Sequence, residues 1–257
     1  MKNENISKPI IYQALQRDKF FAKFLIIFLI CNLQFVICDF SFAQKTQQTP
    51  LKEKAKAKTF EGVINYTISA NEVGLTAENV AMIKGKTVQM YVKNQSVRTE
   101  MDLTMMKSVS ITDVKNKTTN VLMEVMSQKY IIKKKIPTEI KGKIPSKYPR
   151  INYVEGDKQI AGYKCKRAMY FEKEHATPTE IYYTEEIPAN SFFHQFKNLK
   201  GFPLQYTTVE NDLQMTLTAK SVKVDMLQDA MFILPPNIAE YKETTNDDLQ
   251  KMFRGGH

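Results

Sequence analysis

The sequence predicts a mainly β chain, folded as a single antiparallel sheet with one or two short helices. Three observations predict it. Apolar and polar residues alternate with period two in many short runs, the signature of half-buried strands. Asn, Gly and Asp punctuate those runs as turns. Helical periodicity shows at only two places, both in the last third of the 257 residues.

The elements follow in chain order. Residues 24–30 read Phe-Leu-Ile-Ile-Phe-Leu-Ile, after Arg17, Lys19 and Lys23, and Ser41-Phe42-Ala43 places small residues at −3 and −1 of a cut. A basic start, an apolar middle and a small-x-small end describe a secretory signal peptide over 1–43. An uncleaved anchor fits less well, because 24–38 is short of the roughly 20 apolar residues of a span and contains Asn32 and Gln34. Lipidation at Cys31 or Cys38 lacks the small preceding residue, since Ile30 and Ile37 stand there. The expected location is therefore periplasmic or secreted, after cleavage near Ala43. Removing 43 of the 257 residues leaves 214, takes away two of three Cys, and lowers the net charge from +10 to +8. A lone Cys165 allows no internal disulfide, which suits a bacterial periplasm.

Residues 44–58 are rich in Gln, Lys and Thr and read as a flexible linker. The β domain is expected over 59–240. Phe60, Gly62, Ile64, Tyr66 and Ile68 alternate with polar neighbours as a first strand. Val88, Met90 and Val92 mark a second, which turns at 93–96 into a third over 97–103. Strands over 108–114 and 118–125 join around Lys115-Asn116-Lys117, and 129–133 follows. The run 150–155 turns at Gly156-Asp157 into 159–171, and 179–184 is the next strand. Runs 204–209 and 214–224 join at Glu210-Asn211-Asp212. Asn190 is placed to cap a short helix carrying Phe192, Phe193 and Phe196, stopped by Gly201. Phe232-Ile233-Leu234 reads as a terminal strand ended by Pro235-Pro236. A C-terminal helix and tail occupy 241–257. Thr244 or Thr245 caps it, Asp247 and Asp248 fill its first turn, and Leu249, Met252 and Phe253 form its apolar side.

Composition and motifs exclude more than they identify. At 43% hydrophobic and 11% aromatic the chain is no disordered tail. His175, His194 and His257 fall at unrelated places, and no His-x-x-x-His or Cys-x-x-Cys spacing exists. Neither a nucleophile elbow nor a phosphate-binding loop is present. The expectation is a non-enzyme with no cofactor and no metal. Lys164 and Lys166 flank Cys165, but in a strand they point to the other face, so the thiol reads as a small buried hydrophobe. Residues 129–150 hold eight basic side chains and one acid, Glu139. Lys133, Lys134, Lys135, Lys141 and Lys143 are the candidates for contact with an anionic surface, against a plain solvated loop. Nucleic acid is not expected outside the cytoplasm. Met90, Met101, Met105, Met106, Met123 and Met126 crowd the strands, and flexible thioethers suit either an adaptable binding surface or an ordinary core.

Gln159-Ile160-Ala161-Gly162-Tyr163-Lys164-Cys165-Lys166 is followed by Glu180-Ile181-Tyr182-Tyr183-Thr184, then Gly201-Phe202-Pro203-Leu204, then Phe232-Ile233-Leu234-Pro235. This order resembles an exported bacterial family, common in Bacteroidetes and catalogued as domain of unknown function 4412, over roughly residues 60–240. That family is similar in architecture to the LolA/LolB-like periplasmic carriers. The resemblance implies a strongly curved half-barrel and an envelope location, and it transfers no catalytic residue. The motif residues also have mechanical readings. Gly162 suits a bulge or a close backbone approach, Tyr163 and Tyr183 a cross-strand stack, and Pro203 the start of a returning strand.

The expected function is a non-enzymatic binding protein that holds a lipid or a lipoprotein acyl chain on the concave face. Ile64, Tyr66, Ile68, Met90, Val92, Met101 and Met105 are the candidate lining. The alternative is an envelope protein-interaction or scaffold module whose core its own side chains fill. The mature chain is not expected to span a membrane.

Overall fold

The computed structural model of the chain describes residues 60–70, 80–81, 83–94, 96–103, 106–113, 115–125, 127–135, 150–171, 178–188, 196, 199–210 and 213–254. The leader over 1–43, the linker over 44–58 and most of the helix expected from Asn190 lie outside them.

Twelve strands form one sheet: β1 (Glu61–Ala70), β2 (Thr87–Lys93), β3 (Ser96–Leu103), β4 (Met106–Asp113), β5 (Thr118–Val125), β6 (Gln128–Lys135), β7 (Arg150–Ile160), β8 (Tyr163–Phe171), β9 (Thr179–Thr184), β10 (Phe202–Glu210), β11 (Leu213–Val224) and β12 (Lys242–Glu243). Their order is β12-β6-β5-β4-β3-β2-β1-β11-β10-β9-β8-β7. Two meanders of successive hairpins, β1 to β6 and β7 to β11, thus meet where β1 pairs antiparallel with β11. The sheet is mostly antiparallel and does not close. One helix, α1 (Asn246–Arg254), follows the last strand.

The sheet curves hard at one end. β7 and β11 stand four strand spacings apart, about 19 Å in a flat sheet, yet their Cα atoms come within 8 Å. That half rolls up around aromatic side chains. Tyr66 meets Tyr206 edge-on at 5.9 Å, Phe196 meets Tyr206 at 5.4 Å, and Tyr170 meets Phe196 at 5.2 Å. Tyr66 is wholly buried, and its hydroxyl donates to the Pro203 carbonyl at 2.9 Å. The main core continues from there along the inner face of the other half, through Ile64, Met90, Val92, Val97, Met101, Val121 and Ile132.

The outer face has a smaller core of its own. Ile111, Leu122 and Ile131 are buried but lie opposite the main cluster. The segment after β11 crosses this face as a strap. Glu61 accepts from the Leu227 N–H at 2.7 Å, Lys93 pairs with Asp229 at 2.8 Å, and Arg98 donates to the Met231 carbonyl at 3.0 Å. At the far edge Lys129 pairs with Glu240 and Lys133 with Glu243. The strap then joins β6 as the parallel two-residue β12 and turns into α1, which buries Leu249 in the main core. Thr245 caps this helix: its hydroxyl accepts from the Asp248 N–H at 3.1 Å and donates to the Asp248 carboxylate at 2.7 Å.

Three expectations need correction. The chain does not turn at Gly156-Asp157. β7 runs straight through, with Gly156 (φ +124°) in a bulge between Val154 and Asp157. The reversal comes at Ala161-Gly162, whose φ of +50° and +85° make two successive left-handed residues. Such a pair twists the way paired strands twist and so makes the tighter hairpin, whereas an isolated strand glycine makes a bulge. Phe232-Ile233-Leu234 is no strand: Asp229–Phe232 forms a 3-10 turn within the strap. Pro203 lies inside β10, beside a register shift against β9, and does not begin it.

Candidate functional site

Of the seven candidate lining residues, six are described. Ile64, Tyr66 and Ile68 lie on β1, Met90 and Val92 on β2, and Met101 on β3. All six belong to one buried cluster, with exposures between 0% and 6%. Met105 lies outside the described residues, as does Met126. Cross-strand register brings the six together: Ile64 faces Met90, Val92 faces Val97, and Val88 lies between Tyr66 and Met101.

The structure adds a strip that the alternation on β4 conceals. In Met-Lys-Ser-Val-Ser-Ile-Thr-Asp the apolar Val109 and Ile111 invite an inward reading. Register reverses it. Ser108 pairs with Met101 and Met123, Ser110 with Thr99 and Val121, and Thr112 with Val97 and Thr119. The inner face of β4 is therefore Met106, Ser108, Ser110 and Thr112, the last three small, while Ile111 sits under the strap side. The sequence did carry one signal for this. Val121-Leu122-Met123 on β5 is apolar on three successive positions, which requires both faces of that strand to be buried.

The strip is low between two ridges. Val97 and Met101 stand on the β3 side and Val121 and Met123 on the β5 side, while Leu103, Met106 and Val125 close one end. Its floor is polar. Thr112 and Thr119 hydroxyls bond each other at 3.3 Å. Thr99 Oγ1 and Ser110 Oγ, directly opposite one another, have no hydrogen-bond partner in the protein. Burial without a partner is costly for a hydroxyl.

Ionisable groups elsewhere in the core are held neutral. Burial pushes the Cys165 thiol up to about 11, with Glu186 adding to it. Lys164 and Lys166 point away and pair with Asp157 and Glu185, both at 2.8 Å. Burial also raises the Tyr66 phenol well above its ordinary value, and Tyr206 likewise. Tyr183 does not stack on Tyr163. It meets Tyr153 of β7 at 5.6 Å, because its register partner on β8 is Lys166.

The basic candidates split. Lys133 of β6 pairs with Glu243 at 2.7 Å, Lys134 is half-buried and Lys135 is exposed. Lys141 and Lys143 lie outside the described residues. Among the described residues no three His, Cys, Asp or Glu side chains gather as a metal site, and no helix is long and apolar enough to cross a membrane.

No family model matches the chain, and no curated protein matches it. Two solved structures of PNGF-II, in P21 and C2 crystals, are similar at 16% and 15% identity. They cover 76% and 75% of this chain, with TM-scores of 0.42 and 0.41. The chain spans about a third of the length of each, 34% and 33%. A likeness of that order shows neither family nor role.

Proposed function

We propose that this chain is an exported, non-enzymatic binding protein that holds a lipid or an acyl chain against the inner face of its sheet, along the β4 strip. One observation carries the reading: the small side chains Ser108, Ser110 and Thr112 on β4 run between thioether and aliphatic ridges that include Met101 on β3 and Val121 and Met123 on β5. A row of small residues between bulky ones makes room for a linear apolar group, and methionine adapts its shape to one. Burying ten methylenes contributes about 8 kcal/mol. The strip is buried, so binding requires its cover to move. α1 follows β12 at the β6 edge and packs into the same core cluster. Its buried Leu249 contributes about 1.5–3 kcal/mol, less than a ten-carbon chain brings.

A second reading has its own support. Exposures of 0% to 6% at the six described candidate residues suit a self-filled scaffold core. Its partner would then engage a sheet edge or the basic β6 residues.

Native mass spectrometry on protein exported from a related bacterium separates the two. The carrier reading expects a co-purifying species of lipid mass. Ser110→Leu, which fills the strip at an overpacking cost of about 1–3 kcal/mol, is expected to abolish it while the far-ultraviolet circular dichroism stays β. A bare protein mass from the wild type, with no lipid in the extract, favours the scaffold.

A further inference from the structure

The two unpartnered hydroxyls in the strip narrow the ligand. Thr99 and Ser110 are directly opposed on β3 and β4, at 9% and 7% exposure. Directly opposed residues place their Cβ atoms about 4.5–5.5 Å apart. Their oxygens do not bond each other. One oxygen atom set between them, however, reaches both at the ordinary O–H···O distance of about 2.7–2.8 Å. A carbonyl oxygen has two lone pairs and accepts both donors. The row through this pair runs Ile64, Met90, Thr99, Ser110, Val121, Ile132 and carries no charge. Lys134 stands one row away, at the sheet edge opposite Thr119. A carboxylate or phosphate at the pair would lie uncompensated in an apolar surrounding.

We infer that Thr99 and Ser110 form a recognition point for a neutral carbonyl within an apolar chain, so that the ligand class is an acyl ester or amide rather than a bare hydrocarbon or a free acid. This inference rests on the carrier reading. It adds a chemical class to that reading and names two hydroxyls that set it.

The test pairs two probes, methyl decanoate and undecane, each equilibrated with the full exported chain and quantified by dialysis and gas chromatography. The wild type is expected to bind both. The near-isosteric double variant Thr99→Val/Ser110→Ala is expected to lose ester affinity about tenfold and to keep undecane affinity. It is expected to melt no lower than the wild type, because it no longer buries the two hydroxyls. Thr99→Ser/Ser110→Thr, which keeps both hydroxyls, is expected to keep the ester. Equal ester binding by wild type and double variant overturns the inference and leaves the carrier reading standing; the hydroxyls then serve an internal water. Failure of the wild type to take up either probe overturns both. Should the double variant fail to fold, Ser110→Ala alone carries the test, with about a threefold loss of ester expected.

Discussion

Cys165 is fully buried, and its thiol keeps its proton up to about 11. In the unfolded chain a thiol ionises near 8.5. The folded state therefore binds more protons through that window, and stability falls as pH rises across it. The buried phenols of Tyr66 and Tyr206 act with the same sign from about pH 10 upward. The expected urea midpoint is level between about pH 6 and 8 and drops above about pH 9. Cys165→Ala is expected to flatten the first part of the drop and leave the steeper phenolic part. An unchanged profile in that variant places the thiol in water, as would rapid thiol labelling of the native protein at neutral pH. Gly201 makes a different single-residue argument, one of space. A Cβ there would stand 2.1 Å from the Thr184 carbonyl oxygen, where β9 and β10 begin to pair. Gly201→Ala is expected to cost about 1–3 kcal/mol by chemical denaturation, and a neutral result would mean that the β9–β10 junction yields freely.

Among the elements, the strap decides how the outer face is closed. It is fastened by ion pairs at both ends and by apolar cover in between, and magnitudes separate the two. Lys129–Glu240 and Lys133–Glu243 are solvent-exposed pairs, which are worth little and are screened by salt. Lys129 holds the Glu240 carboxyl below the ordinary carboxylate range, so this pair helps above that range and fades as pH falls through it. Leu227 is buried beside Glu61 and Lys93, and truncating a buried leucine costs about 2–5 kcal/mol. Thermal melts are expected to show Leu227→Ala well below the wild type and Lys129→Ala barely changed; the reverse order would make the strap an electrostatic device. The strap is also where the sequence was hardest to read. Nearly every strand was legible: 118–125 follows the Lys115-Asn116-Lys117 turn, 179–184 is rich in Thr, Ile and Tyr, and the two match β5 and β9 as observed. Thr245 and Asp248 likewise announced the cap of α1. The strap carries apolar Phe232, Ile233 and Leu234 without making a strand, since it crosses over strands rather than pairing beside them. Period-two reasoning cannot separate those cases. The same ambiguity hid the β4 strip, where the apolar side of the strand faces a cover supplied by residues more than 100 positions downstream.

At the scale of the molecule, two hairpin meanders are joined edge to edge by the pairing of β1 with β11 and braced by the strap and β12. Each meander is legible as a series of local turns, but nothing in the local pattern says that β1 will pair with β11, some 150 residues away. That seam sets Tyr66 against Ala219 and Ile68 against Leu217, with Ile64 opposite Val222 and Met215 opposite Ala70; Ile64, Tyr66, Ile68, Ala219, Leu217 and Met215 are all buried. It also carries the Tyr66 hydroxyl bond to Pro203 and the edge-on contact with Tyr206. Six such side chains, at about 1.5–3 kcal/mol for each large one, outweigh the connection that the chain itself makes between β6 and β7. A protease site placed between Lys135 and Arg150 tests this. After cleavage the fragments bearing β1–β6 and β7–β12 are expected to co-elute on size exclusion as one species, and to part only in denaturant. Refolding of the cut pair should become concentration-dependent, because the seam is then bimolecular. Tyr66→Ala in the same background removes the phenol that ties β1 to β10, and it is expected to lower the denaturant concentration at which the fragments part. Fragments that drift apart without that substitution would mean that the covalent link, and neither the β1–β11 seam nor the strap, holds the halves in one sheet. The inner face would then owe its continuity from the aromatic half to the β4 strip to chain connectivity rather than to packing.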